Sequence, residues 1–134
     1  MNEQMNKRPH RFVFTTALLF ISLHAASAHS QKNYIIEAFP AREGTAIAAD
    51  GQKKYIKSFD LVLINEGHPL LMTESGQCYR AYDENGNSFA EWRVQPELLG
   101  HIDEGVETGE ITFASGSRAV YRATFVRLST DCAK

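Results

Sequence analysis

From residue 33 onward, apolar and polar positions trade places over short runs, and each run ends in turn chemistry. That alternation predicts strands at 33–39, 55–65, 77–82, 88–94, 98–102, 106–114 and 120–128. The first, NYIIEAF, is expected to stop at Pro40. Residues 44–51 are small and loosely patterned and close on Asp50-Gly51, a turn signal. The strongest run is YIKSFDLVLIN, with Phe59, Leu61 and Leu63 on one face and Val62 and Ile64 on the other. Apolar residues on both faces predict a central place in the sheet. Asn65-Glu66-Gly67-His68-Pro69 breaks that strand. Asp83-Glu84-Asn85-Gly86-Asn87 joins the next two runs, and its Asn-Gly pair signals a hairpin. Asp103-Glu104-Gly105 and Ser115-Gly116-Ser117 mark further turns, and 120–128 is apolar on both faces. No window holds the i, i+3, i+4, i+7 spacing long enough for a helix. The expected fold is all-β, a single antiparallel immunoglobulin-like β-sandwich, with a barrel as the alternative.

The N-terminal segment follows other rules. Lys7, Arg8 and Arg11 face a single acid, Glu3, before the twelve-residue, mostly apolar run FVFTTALLFISL and then Ala26-Ser27-Ala28. A basic start, a short apolar core and small residues at the cut define a secretory signal peptide, expected at 1–28. The apolar run is too short to span a bilayer, so the mature chain is expected to carry no membrane span. The domain then occupies 29–134 and lies in the periplasm or outside the cell. Both cysteines, Cys78 and Cys132, survive the cut, and in an oxidising compartment two cysteines are most simply one disulfide.

Composition changes the picture in one respect. The 134-residue chain has a formal charge of −2, and loss of the signal segment leaves 11 basic and 15 acidic residues, a net −4. Such a balance argues against a nucleic-acid-binding surface.

Candidate chemistry is sparse. No nucleophile elbow, phosphate-binding loop, dinucleotide fingerprint or HExxH pair occurs. Residues 83–87 resemble a calcium loop, but Ser88 and Val94 stand where that loop needs Gly and Glu, so a metal-free hairpin tip is expected. Glu104, Glu107 and Glu110 look clustered, yet strand alternation sends Glu107 and Glu110 to opposite faces. His68, in a turn, and His101, between Gly100 and Ile102, read as surface histidines rather than catalytic bases. Tyr34, Tyr55, Tyr79, Tyr82, Trp92 and Tyr121 fit a sandwich core or a carbohydrate- or peptide-binding surface. Trp92, between Glu91 and Arg93, is expected to be partly exposed. Cleavage after Ala28 makes His29 the mature N-terminus, whose amine and imidazole form a chelate suited to Cu(II), with His68, His101 or a carboxylate completing it. A mobile tail at Ser30-Gln31-Lys32 is the plainer expectation, with no metal or other cofactor.

Three segments carry a resemblance: YIKSFDLVLIN at 55–65, QCYRAY at 77–82 before its turn, and 120–132 from VYRA to LSTDC. Together they resemble a family of small exported bacterial proteins of unknown function with an immunoglobulin-like β-sandwich. The similarity spans about residues 33–132 and departs from the family in a longer, more acidic stretch at Glu97–Glu110. It implies fold and periplasmic location and transfers no activity or site residue.

These observations lead to the expectation of a non-enzymatic binding or accessory domain in the bacterial envelope. Its partner would be an envelope protein, a glycan or a small ligand, not nucleic acid. An inhibitor of an exported hydrolase, acting through the loop at 65–75, is the second class; a copper-binding sandwich protein using His29 is the remote one. Intact-mass analysis of the protein from an envelope fraction is expected to give a chain starting at His29. A mass for all 134 residues would rule out cleavage.

Overall fold

The computed structural model describes residues 33–73 and 76–133; the expected signal segment and His29 lie outside the described residues. Eight strands follow in order: β1 (Tyr34–Ile47), β2 (Lys53–Asn65), β3 (Leu70–Met72), β4 (Cys78–Tyr82), β5 (Ser88–Val94), β6 (Gly100–Ile102), β7 (Gly105–Ser115) and β8 (Phe125–Ser129). Two short 3-10 turns, Pro96–Leu98 and Arg118–Arg122, separate some of them. No helix among the described residues is long and apolar enough to cross a membrane.

Six strands pair in the order β1-β2-β7-β5-β4-β8, and β3 pairs with β6. Every strand-to-strand pairing is antiparallel. Strand β5 turns this continuous sheet into two layers, the first built on β1, β2 and β7 and the second on β4 and β8. Its first half, Ser88–Ala90, pairs with β4, and its second half pairs with β7, with a bulge between Glu91 and Arg93. Strands that change partner at a bulge make the corners of sandwiches. Inward residues from both layers then share one core: Phe59, Leu61 and Leu63 of β2 and Ile111 and Phe113 of β7 pack in the same cluster as Tyr79 and Ala81 of β4 and Val126 and Leu128 of β8. The Phe59 and Phe113 rings meet edge to face at 6.0 Å. The two edges, β1 and β8, do not pair, so the sandwich is open and the barrel alternative falls away. Strand β2, between β1 and β7, holds the central place its pattern predicts.

Four boundaries differ from the pattern. Strand β1 does not stop at Pro40 but continues to Ile47, and the pairing with β2 shifts register between Pro40 and Arg42. On an edge strand, at a bulge, the missing N–H of proline removes no required ladder bond. The 120–128 segment is not one strand: Ser117 Oγ accepts from Ala119 N to start a 3-10 turn, and β8 begins only at Phe125. That turn buries Val120 and Ala123, while Lys57 Nζ donates to the carbonyls of Tyr121 and Ala123 at 2.8 Å each. The 98–102 segment divides likewise into the Pro96–Leu98 turn and β6, with Leu98 and Ile102 buried. The 65–75 loop contains β3, which places Met72 in the core. Asn65, 2% exposed, anchors the start of that loop: its Nδ2 lies within hydrogen-bond reach of the carbonyls of His68, Ile102 and Asp103, and its Oδ1 accepts from Gly67 N.

The β4–β5 hairpin forms where its Asn-Gly signal lies, with Gly86 at φ +82°. Asp83 organises the tip. Its carboxylate accepts from the backbone N–H groups of Asn85 and Asn87 and from the Asn87 side chain. The Asn87 side-chain bond is the main reason its carboxyl titrates below the ordinary range, in spite of opposing desolvation. A native pKa held below the unfolded value contributes stability that is present above about pH 4 and lost as pH falls. Asp83→Asn is therefore expected to lower the urea midpoint at pH 7, with the gap to the parent closing as pH drops through the carboxylate range; a gap independent of pH would refute the assignment.

Cys78 at the start of β4 is joined to Cys132 beyond β8, with Cα atoms 5.7 Å apart. The bridge closes a loop of 54 residues and fastens the C-terminal tail to the second layer. For that loop length the chain-entropy account gives about 4 kcal/mol. The Cys78→Ala, Cys132→Ala double variant is expected to lose about that much stability in denaturant unfolding, and a loss below about 1 kcal/mol would contradict it.

Candidate functional site

Because Phe59, Leu61 and Leu63 point into the core, the alternate residues Ile56, Ser58, Asp60, Val62 and Ile64 point out. Cross-strand register extends each of them into a rung. Ile35, Ile64 and Val106 align; so do Glu37, Val62 and Thr108, then Phe39, Asp60 and Glu110. The next rung is Arg42, Ser58 and Thr112, with Arg93 of β5 opposite Thr112.

Two bulges flank that last rung. On β1 the register shift places Arg42 opposite Ser58, where an unbroken ladder would place Ala41. On β5 the shift places Arg93 opposite Thr112, where an unbroken ladder would place Trp92. Bulges re-aim side chains and open the ladder, and they are common beside functional sites. Here they frame a cleft of about 370 Å³ on the outer face of the first layer, at the small end of the usual range for ligand pockets.

Ser58 and Thr112, only 3% and 7% exposed, sit side by side in its lining, their hydroxyls 2.7 Å apart. The half-buried Trp92 indole lines it together with Ile56 and Ala46. Arg42 crosses to Glu110 in an ion pair, and Gln95 Oε1 accepts from Glu110 N at 2.8 Å, fixing β7 there. The Arg42 side chain is 71% exposed, so this pair adds little stability and instead orients the guanidinium over the cleft. Arg93 is exposed and makes no ion pair among the described residues.

The other candidates lie elsewhere. His68 is exposed in the turn after β2, and His101 is exposed on β6 opposite Leu71. No group of three or more His, Cys, Asp or Glu placed to hold a metal occurs among the described residues. Glu107 pairs opposite Leu63 and Glu110 opposite Asp60, so they lie on opposite faces as alternation predicts. The calcium-like turn is the hairpin tip, its first carboxylate engaged by Asn85 and Asn87. Of the six aromatics, Tyr79 is buried, and Tyr34, Tyr55 and Tyr121 pack against the core. Tyr79 donates to Leu98 O at 2.9 Å, and burial, aided by the Glu91 carboxylate, pushes its phenol far above the ordinary range. Tyr82 stacks on Phe125 at 5.5 Å. Only Trp92 among the six lines the cleft.

Among solved structures, the chain is similar to the crystal structure of an ApaG protein from Pseudomonas aeruginosa. The two share 26% sequence identity at a TM-score of 0.65, over 75% of this chain and 98% of that one. The likeness fits a small bacterial β-rich protein with this sandwich architecture. No family model matches the chain, and no curated protein matches it.

Sequence pattern alone missed Ser58, Thr112, Arg42 and Arg93. No local signal marks them, since Ser58 and Thr112 sit in strands of mixed polarity and Arg42 and Arg93 read as ordinary solvated arginines. The buried hydroxyl pair is open to a direct test. Ser58→Ala and Thr112→Val each leave one buried hydroxyl without its partner and are expected to cost about 1–3 kcal/mol, while the double variant costs less than their sum. Additive losses would mean the two hydroxyls do not interact.

Proposed function

We propose that the chain is an exported, non-enzymatic binding or accessory module of the bacterial envelope, and that it engages its ligand through the cleft at the Ser58–Thr112 rung. The carrying observation is the pair of bulges on either side of that rung, which hold Arg42, Arg93 and Trp92 around two buried hydroxyls. A site on paired strands is already formed before ligand arrives, which limits the ordering cost of binding.

Several features support the rest of the reading. A Cys78–Cys132 disulfide suits an oxidising compartment, in keeping with the signal-peptide pattern at 1–28. The resemblance to small exported sandwich proteins of unknown function points the same way. Within the cleft, the Ser58 hydroxyl bonds to a second hydroxyl rather than to a base, so it lacks the activation a nucleophile requires. The hydrolase-inhibitor alternative draws less support. The described part of the loop that would protrude, residues 65–73, is held by Asn65 and by the β3–β6 pairing, with Met72 in the core.

Immobilised mature domain is expected to capture a component of envelope extract, an envelope protein or a glycan, and Trp92→Ala is expected to abolish that capture. Capture that survives Trp92→Ala but is lost when residues 65–75 are replaced would move the site to that loop and favour inhibition.

A further inference from the structure

We infer that the Trp92 cleft takes a neutral sugar, an assignment that rests on the reading of the cleft as the ligand site. Charge narrows the choice first. The ionised side chains around the cleft are two cations, Arg42 and Arg93, and two anions, Glu43 and Glu110. Arg42 and Glu110 already neutralise each other, and Glu43 lies 3.5 Å from Lys57 Nζ. Among the described residues Arg93 is then the one charge around the cleft outside an ion pair, so a phosphate or sulfate would meet a single exposed guanidinium and would have to break the Arg42–Glu110 pair to gain a second, while a basic peptide would meet no free carboxylate.

The cleft also presents a flat apolar wall beside its polar groups. Trp92, with Ile56 and Ala46, supplies that wall. Indole rings bury large apolar area while keeping one polar edge. A pyranose has the complementary form, with a C–H face for the ring and hydroxyls around its edge.

Ser58 and Thr112 together own two O–H hydrogens, and the 2.7 Å bond between them uses one. The other hydroxyl hydrogen has no protein acceptor among the described residues, although both side chains are more than nine-tenths buried. Among the described residues no buried side-chain oxygen lacks a partner, and this second hydrogen is available to an acceptor placed in the cleft. A sugar hydroxyl or ring oxygen can accept it, a wholly apolar ligand cannot. Arg42 and Arg93 can donate to other sugar oxygens, while Glu43 and Glu110 accept from sugar hydroxyls. The volume of about 370 Å³ suits a ligand of one or two sugar rings.

Trp92 is the chain's single tryptophan, so intrinsic emission reports this cleft and no other place. The mature, disulfide-bonded domain would be titrated with glucose, galactose, mannose and N-acetylglucosamine, and in parallel with glucuronate, inorganic phosphate and a lysine-rich peptide. The expected result is a saturable blue shift and reduced acrylamide quenching with at least one neutral sugar, unchanged by added salt. Thr112→Val is expected to weaken that sugar about tenfold, and Thr112→Ser to restore it. Arg93→Ala, on an exposed position that does not endanger folding, is expected to weaken it as well. A response only to glucuronate or phosphate, abolished by salt, would overturn the assignment in favour of an ionic ligand, and so would a response only to the peptide. Silence towards every sugar, with envelope extract still protecting Trp92 from acrylamide, would sink the sugar while leaving the cleft as the binding site. Extract capture that is indifferent to Trp92→Ala would remove both.

Discussion

Two β-bulges bracket a single rung of the first layer, and most of what distinguishes this molecule follows from them. The bulge on β5 lies where that strand leaves β4 for β7, so the residue it displaces, Trp92, stands at the corner of the sandwich. The bulge on β1 lies at Pro40, where an edge strand tolerates a residue without an N–H. Each shifts its strand by one residue relative to its neighbour. A shift of one reverses which side chains face out. Arg42 and Arg93 thereby come to flank Ser58 and Thr112, and the ladder opens into a cleft where an unbroken sheet would present a smooth face.

The interior behind this face is not purely apolar, and its polar groups hold the irregular parts in place. Lys57 shares the inward side of β2 with Phe59, yet it is buried with its ammonium bonded to two carbonyls at the end of the Arg118–Arg122 turn. From that turn Tyr121 donates to Gly44 O at 2.7 Å, which ties the turn to the second half of β1. The long edge strand is thus anchored beyond its bulge from a turn that the strand pattern did not predict. At the other end of β2, Asn65 gathers the carbonyls of His68, Ile102 and Asp103. Removing one member of such an arrangement leaves a buried group unmet, which is more costly than the bond itself is worth. The cleft therefore lies on the outer face of β2 at Ile56 and Ser58, directly behind the Lys57 anchor.

Much of the fold was legible in the chain because it depends on local pattern. Alternation located β2, β5 and β7 to within a residue or two, and Asn85-Gly86 located the hairpin. Two cysteines in a chain with a signal-peptide pattern pointed to the bridge the structure contains. Pattern reading failed where a long-range contact outweighed local preference. Pro40 reads as a stop, since nothing local says that β1 is an edge strand with a bulge. Residues 120–128 read as strand, since nothing local says that Lys57, more than sixty positions away, will bond the carbonyls of a turn there.

The candidate site belongs wholly to the second kind. Partial exposure of Trp92 followed from its charged neighbours, but what it would stand beside did not. Arg42, Ser58, Arg93, Glu110 and Thr112 come from four strands, and their meeting depends on the pairing order and on two one-residue shifts in register. Side-chain alternation along one strand is a local property of the backbone, so within each unbroken run the sequence by itself determined which residues share a face. Which strand lies beside which, and in what register, is decided by burial of the whole core against all competing pairings. For that reason the tertiary structure alone brought two buried hydroxyls, two guanidiniums and one indole to the same cleft.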